Sequence, residues 1–281
     1  MDTTSTSSFH VLEEDDQLFA AETLYATSRM LLLSLAKYEC SQQDVIIRNF
    51  VARSAMSLKS ILELWKISDF QGAWMLHRCL LDRMFHLHSI GENNEFVEFD
   101  DWSFYQQYNA QNKVKSDPEF KNQAVGWEYN LSEAQKIRAA ELSKNKPSWR
   151  RPKAEAVAKS MGMEFLYKYG YDYASTHIHP MANDGQEDFF SITRLPLNQK
   201  FPSNIKVLHN SSLAATMIFQ DAINFSSFKW KKITWTYLEE TRRALHTGDA
   251  SFVNSFQRLE LAFLDGGLCV PYTPDQNINT P

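Results

Sequence analysis

Polar side chains within residues 171–180, YDYASTHIHP, have the types and spacing of an acid–base site. Asp172, Ser175 and His179 follow i, i+3, i+7 spacing, so on a continuous helix they share one face. A histidine there can act as a general acid or base, oriented by the carboxylate or the hydroxyl. The structural alternative, which the residues taken alone favour, is that Ser175 and His179 cap carbonyls of a helix that ends at Pro180.

A second polar pair lies in the apolar stretch MLHRCLLDRMFHLH, residues 75–88. Arg78 and Asp82 are four residues apart, and burial of such a pair is costly unless the ion pair is well formed. We therefore expect this ion pair either to be half-exposed or to be buried because it serves a function. Arg83 and His88 form a second Arg–His pair on the same helix. A weak salt bridge on the helix surface is the simpler explanation for Arg83, and it fits Arg83 better than it fits Arg78.

The segment KNKPSWRRPK, residues 144–153, contains five basic residues and no acidic residue. Its cations and its indole are the side chains that a single-stranded nucleic acid requires for phosphate contacts and base stacking. A second basic patch is KWKK, residues 229–232. For each patch an ordinary solvated surface is the more common explanation. The candidate RNA-binding residues of the first segment are Lys144, Lys146, Trp149, Arg150 and Arg151.

A metal site is the main chemical rival to acid–base chemistry. His177 and His179 stand two residues apart, and on a helix such side chains point about 200° away from each other. They could share an ion only if the helix had already ended at Thr176, with Asp184 or Asp188 as a further ligand. We therefore expect neither a metal nor a cofactor.

Helices must position all of these side chains, because apolar residues recur at helical spacing through most of the chain. Nine glycines and nine prolines in 281 residues allow few turns. The predicted fold is all-α, an elaborated helical bundle. Helices are expected over residues 13–39, 41–67, 70–92, a segment before Asp117-Pro118, 131–146, part of 147–162, 163–180, 209–246 and 250–264.

The ends of several helices can also be predicted. Ser41 is expected to cap the second helix, Ser68 or Asp69 the third, and Gly91 and Gly248 to stop helices. Residues 183–208 are expected to be irregular. A single domain over residues 13–265 is predicted, with a flexible N-terminus (1–12) and a flexible C-terminal tail (266–281).

Composition narrows the function classes. The net charge of −5 argues against nonspecific coating of nucleic acid. Three distant cysteines argue against a zinc finger or a disulfide framework. No secretion signal and no membrane span are expected, so the predicted location is the cytoplasm.

The motifs together resemble the bacterial family catalogued as domain of unknown function 5677, over roughly residues 40–185. In that family an Arg-x-x-x-Glu lies in an apolar helix, and a later Tyr-rich helix ends in Ser-x-x-x-His before Pro or Gly. Asp82 stands where the family has Glu, which shortens the side chain by one methylene. The matching positions are Arg78, Asp82, Tyr171, Ser175, His179 and Pro180.

That family is similar in style to the helical HEPN proteins, many of which are ribonucleases of toxin–antitoxin and antiphage systems. The resemblance implies a metal-independent ribonuclease in which His179 takes the proton of a ribose 2′-hydroxyl and Arg78 stabilises the phosphorane. Asp82 would orient Arg78, while Ser175 and Tyr171 would hold His179 or the substrate. Arg83 and His88 match the HEPN spacing literally, but Met84 stands where a polar residue often follows the arginine.

The resemblance also implies partners: RNA, with tRNA as one candidate, a second copy of the chain in a homodimer, and an antitoxin or defence-system protein. The alternative is a non-enzymatic protein that binds a ligand or a partner through its many aromatic residues. The stretch DDWSFYQQY, with Trp102 and Tyr105, is the candidate surface for that function, although core packing explains most aromatic residues equally well.

Overall fold

The computed structural model describes residues 12–36, 40–119, 131–179, 182, 185–194 and 205–266. Every regular element in these residues is a helix, so the predicted all-α fold is confirmed. The expected flexible N-terminus and C-terminal tail lie outside the described residues, apart from Leu12 and Gly266. None of the described helices combines the length and the apolar composition that a bilayer crossing requires.

The described residues form twelve α-helices and one π-helical segment. They are α1 (Glu14–Ala36), α2 (Gln42–Lys66), α3 (Phe70–Glu92), α4 (Phe96–Ser116), α5 (Glu133–Lys144), α6 (Ala154–Ser160), α7 (Glu164–Leu166), a π-helical segment (Tyr167–Tyr171), α8 (Asp172–Thr176), α9 (Gln186–Thr193), α10 (Ile205–Phe225), α11 (Lys231–Thr247) and α12 (Phe252–Asp265).

Four long helices, α1, α2, α3 and α10, pack against one another and enclose the main core. Each contributes fully buried apolar side chains, for example Leu24, Leu58, Phe85 and Phe219. Burial of such a side chain stabilises the fold by roughly 2 kcal/mol. α11 packs on α10 and α12 on α11, while α6 and α8 cover α3. α3 therefore packs toward α2 and α10 on the core side and toward α6 and α8 on its other side.

Several predicted helix ends are confirmed. Ser41 caps α2 in a capping box, in which its hydroxyl accepts from the backbone N–H of Asp44 and the Asp44 carboxylate accepts from the backbone N–H of Ser41. Asp69, rather than Ser68, caps α3 by accepting from Gly72 N–H at 2.8 Å. Gly248 ends α11 with φ of 74°, the left-handed conformation that glycine adopts without strain.

Gly91 does not stop α3, which continues to Glu92. The ring of Phe225, at the end of α10, lies so close to Gly91 that a methyl group there would overlap it. The glycine therefore serves the close approach of α3 and α10 rather than a helix end.

The predicted helix over residues 209–246 is in fact two helices, α10 and α11. The chain leaves α10 because Asp44 of α2 accepts from both the backbone N–H and the hydroxyl of Ser227, at 2.8 and 2.9 Å. Phe228 is then buried against α12 through Phe263. No Gly or Pro marks this break, so helical periodicity alone missed it.

Two further expectations need correction. The region 183–208 was expected to be irregular, yet it contains α9 and the start of α10. The helix expected to run to Pro180 ends at Thr176, and its middle turn is π-helical. Pro180 itself lies outside the described residues.

Candidate functional site

Arg78 is the centre of a polar network between α3 and α8. Its Nε donates to the hydroxyl of Ser175 at 2.9 Å, one of its terminal nitrogens donates to the hydroxyl of Tyr171, and the other pairs with the carboxylate of Asp82. The guanidinium also lies over the Tyr171 ring. Four residues that the sequence analysis proposed as a site therefore meet in space.

Bonds among the partners complete the network. The Tyr171 hydroxyl donates to Asp82 at 3.1 Å, and the Ser175 hydroxyl donates to the backbone carbonyl of Tyr171 at 2.8 Å. The side chain of Arg78 is only 15% exposed, whereas that of Asp82 is 41% exposed. The network thus opens to solvent on the Asp82 side, and the expectation of a half-exposed ion pair is confirmed.

Tyr171 is held in its neutral form by this environment. Burial and the nearby charge of Asp82 raise the pKa of Tyr171 to about 12, and the Arg78 charge only partly opposes this shift. The phenol therefore keeps its proton at neutral pH and can donate to Asp82 while accepting from Arg78.

The π-helical segment sets the direction of Tyr171. A π-turn contains more residues than an α-turn, so it shifts the side chains that follow it around the helix axis. Tyr167 and Tyr171 stack at its two ends, with ring centroids 5.2 Å apart. Gly170 is buried within the turn, where a methyl group would lie 3.1 Å from Leu166. π-turns occur often at functional sites.

His179 is placed differently from the prediction. It lies beyond the end of α8, so it does not continue the helical face of Asp172 and Ser175. Its side chain is exposed, and it makes no hydrogen bond or ion pair with any residue that the structure describes. Asp172 is also exposed; burial raises the pKa of Tyr167, and the charge of Asp172 adds to that rise.

A histidine that the sequence analysis did not propose lies closer to the network. His86 is half-buried on α3, four residues after Asp82 and eight after Arg78, which puts all three on one helix face. Burial lowers the pKa of His86; the Asp82 charge opposes this, and Arg151, Arg78 and Arg83 reinforce it. The sequence signal for this face is the i, i+4, i+8 spacing of the three residues.

Trp149 is not a stacking surface for bases, contrary to the prediction. It is 8% exposed, and its indole N–H donates to the Glu95 carboxylate at 2.9 Å. Its ring packs against Trp102 and Phe99, with centroids 4.9 and 5.1 Å away. Trp149 therefore packs over the aromatic side chains of α4 and shields them from water.

The cations of the same segment are on the surface. Lys144, at the end of α5, and Lys146, Arg150 and Arg151 are all exposed. The guanidinium of Arg151 lies 5.4 Å from the centroid of the Trp102 ring. Because its charge also lowers the pKa of His86, Arg151 links the basic segment to the surroundings of the Arg78 network.

The second Arg–His pair is divided between different partners. Arg83 donates to the Cys79 carbonyl of its own helix at 2.9 Å. His88 instead contacts Asp221 of α10, with 3.2 Å between Nδ1 and the carboxylate. This bond raises the pKa of His88 against the opposing effect of burial. Arg83 and His88 therefore do not form one site.

The described residues provide no set of ligands for the alternative of a metal site. Among the described residues there is no cluster of three or more His, Cys, Asp or Glu side chains that could hold an ion. His177 instead stacks on Trp74, with centroids 6.0 Å apart and planes 9° apart. Asp184 and the side chain of Asp188 lie outside the described residues.

Comparison with known proteins gives one family. The chain matches the family described as "Family of unknown function (DUF5677)" over residues 44–192. Searches of curated proteins and of solved structures found no significant match. The matched range is more than half of the chain and contains both sides of the Arg78 network. The chain therefore belongs to the DUF5677 family, as its motifs predicted.

Proposed function

We propose that this protein is a metal-independent, HEPN-like endoribonuclease that acts in the cytoplasm as an effector of bacterial antiphage defence or of a toxin–antitoxin system. The observation that carries the proposal is the Arg78 network. It holds a mostly buried guanidinium in a fixed orientation, with the half-exposed Asp82 on the solvent side. A fixed cation in a site of reduced water content stabilises developing negative charge more strongly than a mobile surface cation does.

In the proposed reaction, a histidine removes the proton of a ribose 2′-hydroxyl, and the resulting oxygen attacks the adjacent phosphorus. Arg78 stabilises the charge on the phosphorane oxygens, and a protonated histidine returns a proton to the leaving 5′-oxygen. The substrate phosphate approaches from the Asp82 side and replaces that carboxylate at the terminal nitrogen of Arg78. Tyr171 and Ser175 keep the guanidinium in place during this exchange.

His179 is the proposed acid–base group, since its side chain is exposed and lies three residues after the end of α8, the helix that carries Ser175. His86 is the second candidate, because it shares a helix face with Arg78 and Asp82 and its lowered pKa favours the neutral base at pH 7. The exposed cations of the basic segment, among them Arg151, whose charge lowers the pKa of His86, supply phosphate contacts for an RNA such as tRNA.

The proposed homodimer has a candidate surface beside the network. Phe165, Tyr169 and Tyr173 lie four residues apart, and their exposed fractions are 74, 63 and 46%. The rings of Phe165 and Tyr169 are 4.5 Å apart. An exposed row of aromatic side chains is typical of a surface that binds another protein, here a second copy of the chain or an inhibiting partner.

The test is to express the wild type and single variants in a tolerant host and to sequence the 5′ ends of cellular RNA. We expect site-specific cuts in the wild type, their loss in His179→Ala and in Arg78→Ala, and their retention in the control His246→Ala. His246 is an exposed histidine on α11, remote in sequence from the network. If His86→Ala loses the cuts while His179→Ala keeps them, the proton transfer belongs to His86. Identical RNA profiles in all strains would refute the ribonuclease.

A non-enzymatic binding protein is the second candidate function. The observation in its favour is that Arg78 is already bonded to three protein side chains, as a purely structural arginine would be. In that case Phe165→Ala and Tyr169→Ala would abolish binding of a partner, while the RNA profile would stay unchanged in every variant.

A further inference from the structure

The second basic patch forms one wall of a cavity that the proposed ribonuclease site does not use. The cavity has a volume of about 500 Å³ and lies between the start of α11 and the middle of α12. This volume falls within the range of small-molecule sites in proteins, roughly 300–1,000 Å³. It is lined by Lys229, Trp230, Lys232, Ile233, Thr236, Ser255 and Arg258.

The charged residues that line this cavity are all cationic. Lys229, Lys232 and Arg258 are exposed cations, and no acidic residue is among the lining residues. The side chains of Lys232 and Arg258 form no ion pair or hydrogen bond within the described part of the chain. Two cations without protein partners that face the same cavity favour an anionic ligand.

The start of α11 adds to this preference. Trp230 stands at the N-cap and provides no side-chain acceptor, so no side chain caps the first N–H groups of the helix. Uncapped N–H groups and the helix dipole both favour negative charge at this position.

The apolar part of the cavity is fixed in place. The half-buried ring of Trp230 packs against Phe263, with centroids 5.8 Å apart, and Ile233 continues the same wall one turn further on. Ser255 donates to the carboxylate of Glu240. That carboxylate would repel an anion, so the charged group of a ligand belongs beside the side chains of Lys232 and Arg258, which have no acidic partner among the described residues.

We propose that this cavity binds a small organic anion, with an apolar body against Trp230 and Ile233 and a carboxylate, phosphate or sulfonate against Lys232 and Arg258. The site lies on other helices than the Arg78 network, and the inference does not depend on the ribonuclease proposal. Lys229, Trp230 and Lys232 of KWKK are then part of a ligand site rather than of a solvated surface, whereas Lys231 does not line it.

Isothermal titration calorimetry of the full chain with anilinonaphthalene sulfonate (ANS) tests the proposal. ANS combines an aromatic body with one sulfonate, and phenylnaphthylamine is its uncharged counterpart. We expect saturable binding of one ANS per chain and at least about tenfold weaker binding of phenylnaphthylamine. The double variant Lys232→Glu/Arg258→Glu should weaken ANS binding by at least about tenfold as well.

The matched control is Lys231→Glu/Arg243→Glu. It makes the same charge change on α11 at two exposed cations that do not line the cavity. We expect it to bind ANS within about twofold of the wild type. Absence of saturable ANS binding by the wild type, or equal weakening by the two double variants, would overturn the proposal. All substituted side chains are exposed, and thermal melting of each variant verifies that it is folded.

Discussion

The two sides of α3 carry polar contacts of different kinds. Toward α10, His77 is fully buried, with 3.0 Å between its Nδ1 and the hydroxyl of Ser211. Toward α8, Arg78 is in contact with Tyr171, Asp82 and Ser175 at the edge of solvent. The first contact is neutral and closed to water, and the second is charged and half-open.

The tautomer of His77 follows from its partner. The Ser211 hydroxyl donates to the backbone carbonyl of Val207, so it can only accept from His77, whose proton must then be on Nδ1. Its Nε2 is buried and has no hydrogen-bond partner among the described residues. Protonation of that nitrogen would create an unpaired buried charge, and burial accordingly lowers the pKa of His77 to about 3.

This difference separates structural from functional candidates. A buried neutral pair fixes how α3 and α10 pack, whereas a charged group that water can reach is able to meet a substrate. The two sides should therefore respond differently to pH and to substitution.

The largest expected effect is acid destabilisation through His77. In the unfolded chain this histidine takes up a proton near its ordinary pKa of 6.5, whereas in the folded protein it does so only near pH 3. As the pH falls below about 6.5, the free energy of unfolding should therefore decrease by roughly 1.4 kcal/mol for each pH unit. Urea unfolding at a series of pH values measures this slope.

His77→Asn is the matching variant, because its amide can still donate to Ser211 but does not titrate. Between about pH 6.5 and 5 its stability should fall by roughly 2 kcal/mol less than that of the wild type. Equal slopes for the two proteins would show that another group takes up the proton.

The next largest effect is expected for Arg78. Arg78→Ala leaves the partly buried hydroxyls and the Asp82 carboxylate without their donor, which should cost about 2 kcal/mol of unfolding free energy. Arg78→Lys should cost about half as much, since an ammonium cannot reach all three acceptors in the fixed geometry of a guanidinium.

Arg83→Ala is the control for Arg78, because Arg83 bonds only to a carbonyl of its own helix. It should change stability by less than about 1 kcal/mol. If the two alanine variants were equally stable in urea, the network would contribute nothing to the packing of α8 on α3.

The smallest expected effect comes from His88, whose contribution to the free energy of unfolding decreases as the pH rises rather than as it falls. The bond to Asp221 raises the pKa of His88, so the folded state favours protonated His88. Its stabilisation is fully present below about pH 6.5 and is lost as the pH rises through the raised value. We expect a loss of about 1 kcal/mol or less for this partly exposed pair.

Asp221→Asn should remove the loss of stability that accompanies deprotonation of His88. Urea unfolding midpoints between about pH 6 and 9 measure this loss in the wild type and in the variant. A decrease of the same size in the variant would assign it to a different group. Together with His77, this result would give α3 two histidines whose contributions oppose each other across neutral pH.

The sequence predicted those features that depend on local spacing. Ser41, Asp69 and Gly248 were identified as helix ends because caps and left-handed glycines have local signals. Arg78 and Asp82 were identified because a charged pair is unusual in an apolar helix. Tyr171 and Ser175 were identified in the polar cluster of residues 171–180, and the structure has both in contact with Arg78.

Features that depend on contacts between distant segments were missed. The break after α10 is made by Asp44, which lies 183 positions before Ser227 in the chain. Burial of Trp149 depends on Glu95 and Trp102 of another helix. The position of His179 depends on where α8 ends, and the π-turn before it has no simple sequence signal.

The π-helical segment makes the chain around residues 167–171 sensitive to length rather than only to residue type. An α-helix advances about 100° per residue, so removal of one residue here would restore regular winding and rotate everything beyond it by that angle. Deletion of the exposed Lys168, which touches nothing in the network, would carry Ser175 around the axis and away from Arg78. Relatives of different length in this turn would then need another way to hold the guanidinium.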